Sequence, residues 1–227
     1  MVSLIELALY NLHQKYGIML NCEVKEIQPE FGIVETILVT NKKLVFEKEH
    51  LERLKRSAAF FSFPLLKGLW NIQPECENCI LRLVVYKNGN FDLKYLPLSP
   101  PKSNLVTVSD VILDSSNVFL YHKTTYRPWY KEAMREIESG RYYDVLFCNK
   151  QGELCEGARS NLFIEIDGIF YTPSLASGLL NGILRQNLIE TQKATETKIT
   201  PELLQKAEAI YCGNSVRGLA QVKLLDK

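Results

Sequence analysis

The chain has 227 residues, 46% of them hydrophobic and 23% charged, with a formal net charge of +1. That balance reads as an ordinary globular protein, long enough for one large domain or two small ones. It offers no basic stripe for nucleic acid, and no apolar run approaches the ~18 residues that a bilayer span needs.

The start, Met1-Val2-Ser3-Leu4-Ile5-Glu6, is apolar but has no basic lead and is interrupted by Glu6. It reads as a folded segment and not as a signal peptide, with a cytoplasmic location as the default expectation. Cys76-Glu77-Asn78-Cys79 has C-x-x-C spacing. A zinc site would need two further ligands, and His13, His50 and His122 stand apart. All six cysteines are therefore expected to be reduced, with no metal bound.

A helix is expected around Leu4–Tyr16. Gly32–Thr40 is a β-branched strand, turned at Asn41-Lys42-Lys43 into Leu44-Val45-Phe46. Lys48–Phe61 carries Leu51, Leu54, Ala58 and Phe61 at helical spacing, with Arg53 on its polar face. Cys79–Lys87 and Phe91–Tyr95 form a hairpin across Asn88-Gly89-Asn90, where Asn-Gly supplies the positive φ angles of a two-residue turn. Pro97–Lys102 breaks the chain, and Asn104–Val118 is strand-like. Pro128–Gly140 is a helix with Trp129, Ala133 and Ile137 four apart.

In the second half Asp144–Cys148 is a strand, and Leu162–Ile166 pairs with Ile169–Tyr171 across Asp167-Gly168. Leu179–Thr191 is a helix entered through Asn181-Gly182, Pro201–Ala207 a short helix, and Ala209–Cys212 a terminal buried strand. The class is α+β in two lobes: an N-terminal small α/β domain over 1–116, a linker over 117–122 and a C-terminal domain over 123–227.

Two segments carry chemistry. Lys123 sits between apolar Val118-Phe119-Leu120-Tyr121 and Thr124-Thr125, and Glu156 stands at the mouth of the apolar strand beginning Asn161-Leu162-Phe163. Taken singly, Lys123 is a solvated loop lysine and Glu156 an exposed turn acid. If both are buried they require compensation. Pyridoxal phosphate would compensate both, through a Schiff base to the lysine and a ring nitrogen for the acid. Its phosphate needs amides at a helix start and a cation, which Asn181-Gly182-Ile183-Leu184, Gly213-Asn214-Ser215 and Arg53 would provide.

The run Glu156-Gly157, Asn161-Leu162-Phe163, Tyr171-Thr172-Pro173 and Leu179-Leu180-Asn181-Gly182-Ile183-Leu184-Arg185 resembles the signature of class IV (fold type IV) pyridoxal-phosphate enzymes. His50-Leu51-Glu52-Arg53-Leu54 is similar to that family's phosphate-arginine helix, and Phe31-Gly32 with Glu35-Thr36 to its first active-site strand. The resemblance covers about residues 30–222. It implies a fold like that of D-amino acid aminotransferase, an active site between the lobes, and a homodimer. Lys123 would bond the cofactor and move protons, and Glu156 would face the ring nitrogen. Arg53, Asn161, the backbone at Ile183 and Leu184, and Asn214-Ser215 would hold the remainder. Thr36 matches a threonine that faces the lysine in the lyases of the group.

Within the family, His122-Lys123-Thr124-Thr125, Arg127, Tyr130 and Asn214-Ser215-Val216-Arg217-Gly218 look most like 4-amino-4-deoxychorismate lyases. These eliminate pyruvate to leave 4-aminobenzoate for folate biosynthesis, on substrate from an aminodeoxychorismate synthase. Arg82, Arg127 and Arg217, with Arg159, are the candidates to hold two substrate carboxylates. The alternatives are a class IV aminotransferase acting on branched-chain or D-amino acids, and a non-catalytic binding subunit.

Overall fold

The computed structural model describes residues 30–65 and 68–225, so the helix expected near residues 4–16 lies outside the described part. Strand β1 (Gly32–Thr40) is built largely of β-branched residues, which suit a pleated, half-buried surface. It pairs antiparallel with β3 (Asn78–Tyr86) over its full length, from Gly32 opposite Tyr86 to Thr40 opposite Asn78. With β2 (Lys43–Leu44) and β4 (Phe91–Leu96) these make a four-stranded sheet in the order β2-β1-β3-β4.

Asn41 and Lys42 both take positive φ, 51° and 57°, which is the turn geometry that matches strand twist. The β3–β4 connection departs from the expected two-residue turn. Only Gly89 is left-handed, at φ 86°, and the Asn88 side chain accepts the Asn90 amide at 2.9 Å. The loop thus spans Lys87–Asn90.

Helix α1 (Glu47–Phe60) covers one face of this sheet, with Leu54 and Ala58 packed into a core made with Ile33, Ile37, Leu81, Leu83 and Val85. The expectation of six reduced thiols fails for one pair. Cys76 and Cys79 are disulfide-bonded with Cα atoms 6.2 Å apart, because the turn into β3 folds their backbones together. Cys148, Cys155 and Cys212 are free and buried.

The second sheet is mixed and has eight strands, in the order β10-β9-β8-β11-β12-β5-β6-β7. Its strands are β5 (Leu105–Leu113), β6 (Asp144–Asn149), β7 (Leu154–Gly157), β8 (Asn161–Ile166), β9 (Ile169–Pro173), β10 (Thr195–Thr197), β11 (Ala209–Asn214) and β12 (Gly218–Leu224). Three of these, β7, β10 and β12, have no counterpart in the sequence reading. In consequence Ala209–Cys212 is not terminal: β12 turns back at Gly218 and pairs with both β11 and β5. β5 lies wholly in this sheet, and the expected 117–122 linker holds a 3-10 turn over Val118–Leu120.

Strand β7 enters β8 through the tight turn 157–160, where the Gly157 amide donates to the Ser160 carbonyl at 2.8 Å. Two strands far apart in sheet order are therefore neighbours, and the sheet curls. Leu146, Leu154, Leu162, Ile164 and Cys212 fill its core without solvent exposure.

Helix α2 (Lys131–Ser139) follows a 3-10 turn at Pro128–Tyr130 and stops at Gly140, whose φ of 90° ends it. Helix α3 (Ile183–Glu190) begins four residues later than the sequence predicts. Gly182 is its extended N-cap, with φ −65° and ψ 149°. A short α4 (Pro201–Gln205) is capped by Thr200, whose hydroxyl accepts from the Leu203 amide. The result is an α+β fold in two lobes.

Candidate active site

Residues 123–125 run along β1 as an extra segment. The Val34 amide donates to the Lys123 carbonyl at 2.8 Å, and the Thr125 amide donates to the Gly32 carbonyl at 2.9 Å. The backbone of Lys123 is thereby fixed to the smaller sheet, two residues from Thr36. Strand alternation sends Thr36 away from the helix-facing row of Ile33, Glu35 and Ile37. Its antiparallel partner is Arg82.

Lys123, Thr36 and Arg82 line a cavity of about 250 Å³ together with residues of the larger sheet. Glu156 comes from β7, Ser160 and Asn161 from the turn into β8, Gly182 and Ile183 from the start of α3, and Asn214 and Ser215 from the end of β11. Of the residues proposed from the sequence to contact cofactor or substrate, Lys123, Thr36, Glu156, Asn161, Gly182, Ile183, Asn214, Ser215, Arg53, Arg82, Arg127, Arg159 and Arg217 come to this cavity, whereas Asn181, Leu184 and Gly213 do not line it. The side chain of Leu184 instead packs over Gly213, where an added Cβ would meet Leu184 Cδ2 at 2.9 Å.

Glu156 is 4% exposed, so the surface reading of this acid fails. Its Oε1 accepts the Tyr130 hydroxyl at 2.9 Å and its Oε2 the Leu180 amide at 3.2 Å. Arg127 stands 3.9 Å away and stacks over the Tyr130 ring at 4.4 Å. Burial pushes the Glu156 carboxyl up to about 7, against the pull of Arg127 and of these bonds. Lys123 is half-buried, its remaining accessible surface being that of a cavity wall. Burial, then the charges of Arg127 and Arg53, push its amine down to about 7.

Arg53 is held from behind. Its Nε donates to Glu35 Oε1 at 2.9 Å and its Nη2 to Glu35 Oε2 at 2.6 Å, and His50 Nδ1 meets that second oxygen at 2.6 Å. Burial alone would raise the Glu35 carboxyl, but the Arg53 charge and the bonds from His50 and Arg53 hold it down to about 2. One turn beyond Arg53, Ser57 hydrogen-bonds His122 at 2.9 Å, and Phe60 stacks on the His122 ring at 4.5 Å. The helix is tied to the residue next to Lys123.

The cavity wall is close-packed. Asn161 donates to the Leu180 carbonyl at 2.9 Å, and a Cβ on Gly182 would sit 2.1 Å from Asn161 Oδ1. Behind the turn, fully buried Asp144 accepts the Ser160 hydroxyl and the Val145 amide, the latter at 2.8 Å. A Cβ on Gly157 would approach Asp144 Oδ2 to 2.5 Å. The sequence reading missed Glu35, Tyr130 as the Glu156 donor, Asp144 and Ser160. Only Glu35 carried a signal, as the one acid in an otherwise aliphatic strand face.

Such a donor set fits pyridoxal phosphate. Glu156 is a buried carboxyl oriented by two hydrogen-bond donors, with Arg127 at the edge of ion-pair distance, 3.9 Å, and so can face a protonated ring nitrogen. Lys123 is a near-neutral amine at physiological pH. Arg53 and the first turn of α3 supply a cation and amides for a phosphate. Fold and site together define a pyridoxal-phosphate enzyme of the two-lobed type.

The comparisons agree. The family model for "Amino-transferase class IV" matches residues 32–225, and the chain belongs to that family. It is 31% identical over 216 residues to the "Probable branched-chain-amino-acid aminotransferase" of Thermotoga maritima, covering 86% of this chain and 78% of the relative. It is 27% identical over 213 residues to the "Putative aminodeoxychorismate lyase" of Schizosaccharomyces pombe, covering 86% and 90%. Among solved structures, the "Putative amino-acid aminotransferase" from Mesorhizobium loti superposes with a TM-score of 0.79 at 32% identity, covering 86% of this chain and 100% of that one. Members of this family depend on pyridoxal phosphate, which is the cofactor of this protein.

Proposed function

We propose that the protein is a 4-amino-4-deoxychorismate lyase that releases pyruvate and leaves 4-aminobenzoate. The observation that carries this reading is the set of arginines around the cavity. Among the described residues Arg82 meets no carboxylate, the Arg217 guanidinium bonds only the Ser99 carbonyl, at 2.7 Å, and Arg127 stands off Glu156 at 3.9 Å. Cationic groups left with so little acidic compensation suit a substrate that brings its own two carboxylates.

Bound pyridoxal phosphate supplies an electron sink for the bonds that break. Glu156 would keep the ring nitrogen protonated, its carboxylate held by the Tyr130 hydroxyl and the Leu180 amide. Lys123, whose lowered amine is in part unprotonated near pH 7, takes the proton from the nitrogen-bearing carbon of the substrate. The same amine returns a proton to the departing enolpyruvyl group, so the ring aromatises and pyruvate leaves with no net proton change. Thr36 lines the same cavity as this lysine and would hydrogen-bond its amine during the proton transfer. Substrate comes from an aminodeoxychorismate synthase, the product feeds folate biosynthesis, and the working form is a cytoplasmic homodimer.

The identity to a branched-chain aminotransferase favours a second reading, exchange of amino groups on branched-chain or D-amino acids. Incubating the cofactor-loaded protein with aminodeoxychorismate and no keto acid separates the two. Equal amounts of 4-aminobenzoate and pyruvate support the lyase. No product there, with turnover of leucine or D-alanine once 2-oxoglutarate is added, establishes the transaminase.

A further inference from the structure

The face of β1 that packs on α1 carries Ile33, Glu35, Ile37 and Val39, and Glu35 has no solvent exposure. A carboxylate in that row is unfavourable unless both oxygens are bonded. Glu35 achieves this with one fork of Arg53 and with His50, three residues earlier on the same helix. The fork uses Nε and one hydrogen of Nη2. It leaves Nη1 without a partner among the described residues and fixes the plane of the guanidinium that lines the cavity.

We propose that Glu35 is a positioning residue for the cofactor phosphate. It holds Arg53 in one orientation before the cofactor arrives, so that binding orders no flexible side chain. His50 secures the carboxylate by bonding its Oε2. At the ring end Glu156 lies on β7 and Tyr130 in the turn before α2, neither bonded to Glu35, and the charges of Arg53 and Glu35 that reach Lys123 act alike on a ligand with or without a phosphate. This inference rests on the reading that Arg53 binds phosphate.

The test is the ratio of affinities of the full chain, stripped of cofactor, for pyridoxal phosphate and for pyridoxal, which lacks the phosphate. Both are followed by the absorbance of the lysine adduct. Glu35→Gln is expected to weaken pyridoxal phosphate roughly 10- to 100-fold, the range for a charge-assisted hydrogen bond, while pyridoxal changes less than about twofold. Glu35→Asp keeps the charge but cannot reach both nitrogens, and should lower the ratio less; it decides the matter if Glu35→Gln does not fold. Arg53→Ala is the control. If Arg53→Ala leaves the ratio intact, the phosphate reading of Arg53 fails. If Arg53→Ala collapses the ratio and the Glu35 variants do not, the positioning role is overturned. Equal weakening of both ligands in the Glu35 variants also overturns it, because a general structural defect would act that way.

Discussion

Tyr130 donates its hydroxyl to Glu156 Oε1 at 2.9 Å, across a buried contact between the turn before α2 and strand β7. The bond leaves one carboxylate oxygen oriented by a side chain and the other by the Leu180 amide. Among the described residues Tyr130 is the one side chain that hydrogen-bonds this acid.

Tyr130→Phe removes that donor and keeps the ring beneath Arg127. The Glu156 carboxyl should rise further above its ordinary value, because a bond that favours its charged form is lost. Affinity for pyridoxal phosphate should fall about tenfold, the weight of one hydrogen bond to a charged group. An absorbance titration of the stripped protein at several pH values measures both effects. Unchanged affinity across that range would show that the bond orients nothing.

Lys123 makes a prediction about stability without cofactor. Its amine is lowered from the ordinary value of 10.5 to about 7, so between these pH values the unfolded chain holds more protons than the folded one. Stability contributed by this group therefore rises with pH across that window, and its penalty is greatest at and below pH 7. Lys123→Met should stabilise the stripped protein by about 2–4 kcal/mol at pH 6.5, and by little at pH 10. Glu156, raised to about 7, works in a separate window, lowering stability as pH rises from 4.5 to 7. Thermal melts of wild type and variant at the two pH values decide, and a gain of equal size at both would contradict the lowered amine.

Gly182 has ordinary extended dihedrals, so alanine there meets a packing conflict and not backbone strain. Its Cβ would run into Asn161 Oδ1, displacing the side chain that bonds the Leu180 carbonyl. Gly182→Ala should destabilise by about 1–3 kcal/mol, the usual range for overpacking. It should also weaken pyridoxal phosphate, because the start of α3 must shift. A melting curve that matches wild type would mean that Asn161 moves aside freely.

Arg82 is buried enough to lower its pKa, with Arg127 adding to the shift. If it holds a substrate carboxylate, Arg82→Ala should raise KM about 10- to 100-fold and leave kcat within about threefold. Arg82→Lys should recover only part, since an ammonium lacks the fork geometry. Steady-state kinetics on the three proteins test this, and a loss confined to kcat would place Arg82 elsewhere in the reaction.

Much of the fold was legible from local pattern. β1, α1, β3 and the Asp167-Gly168 hairpin come within a residue or two of their expected limits, because their apolar spacing and turn residues act within a few positions. β7, β10 and β12 escaped for the opposite reason: they are short or irregular in pattern, and their strand character comes from partners distant in the chain. The start of α3 was misplaced because Leu179 and Leu180 continue a helical spacing, while the Leu180 amide is committed to Glu156.

For the site, the sequence by itself determined the chemical types: a lysine in an apolar setting, an acid at a strand mouth, an arginine on a helix and glycines before another helix. These follow from order along the chain and from the resemblance they carry. Tertiary structure alone decided that Lys123 and Glu156 share a desolvated cavity, which draws their two proton affinities together near 7. It also decided that Glu35 and Tyr130 stand behind the arginine and the acid. Desolvation and hydrogen-bond partnership depend on which distant strands close around a side chain, and only the folded chain fixes that.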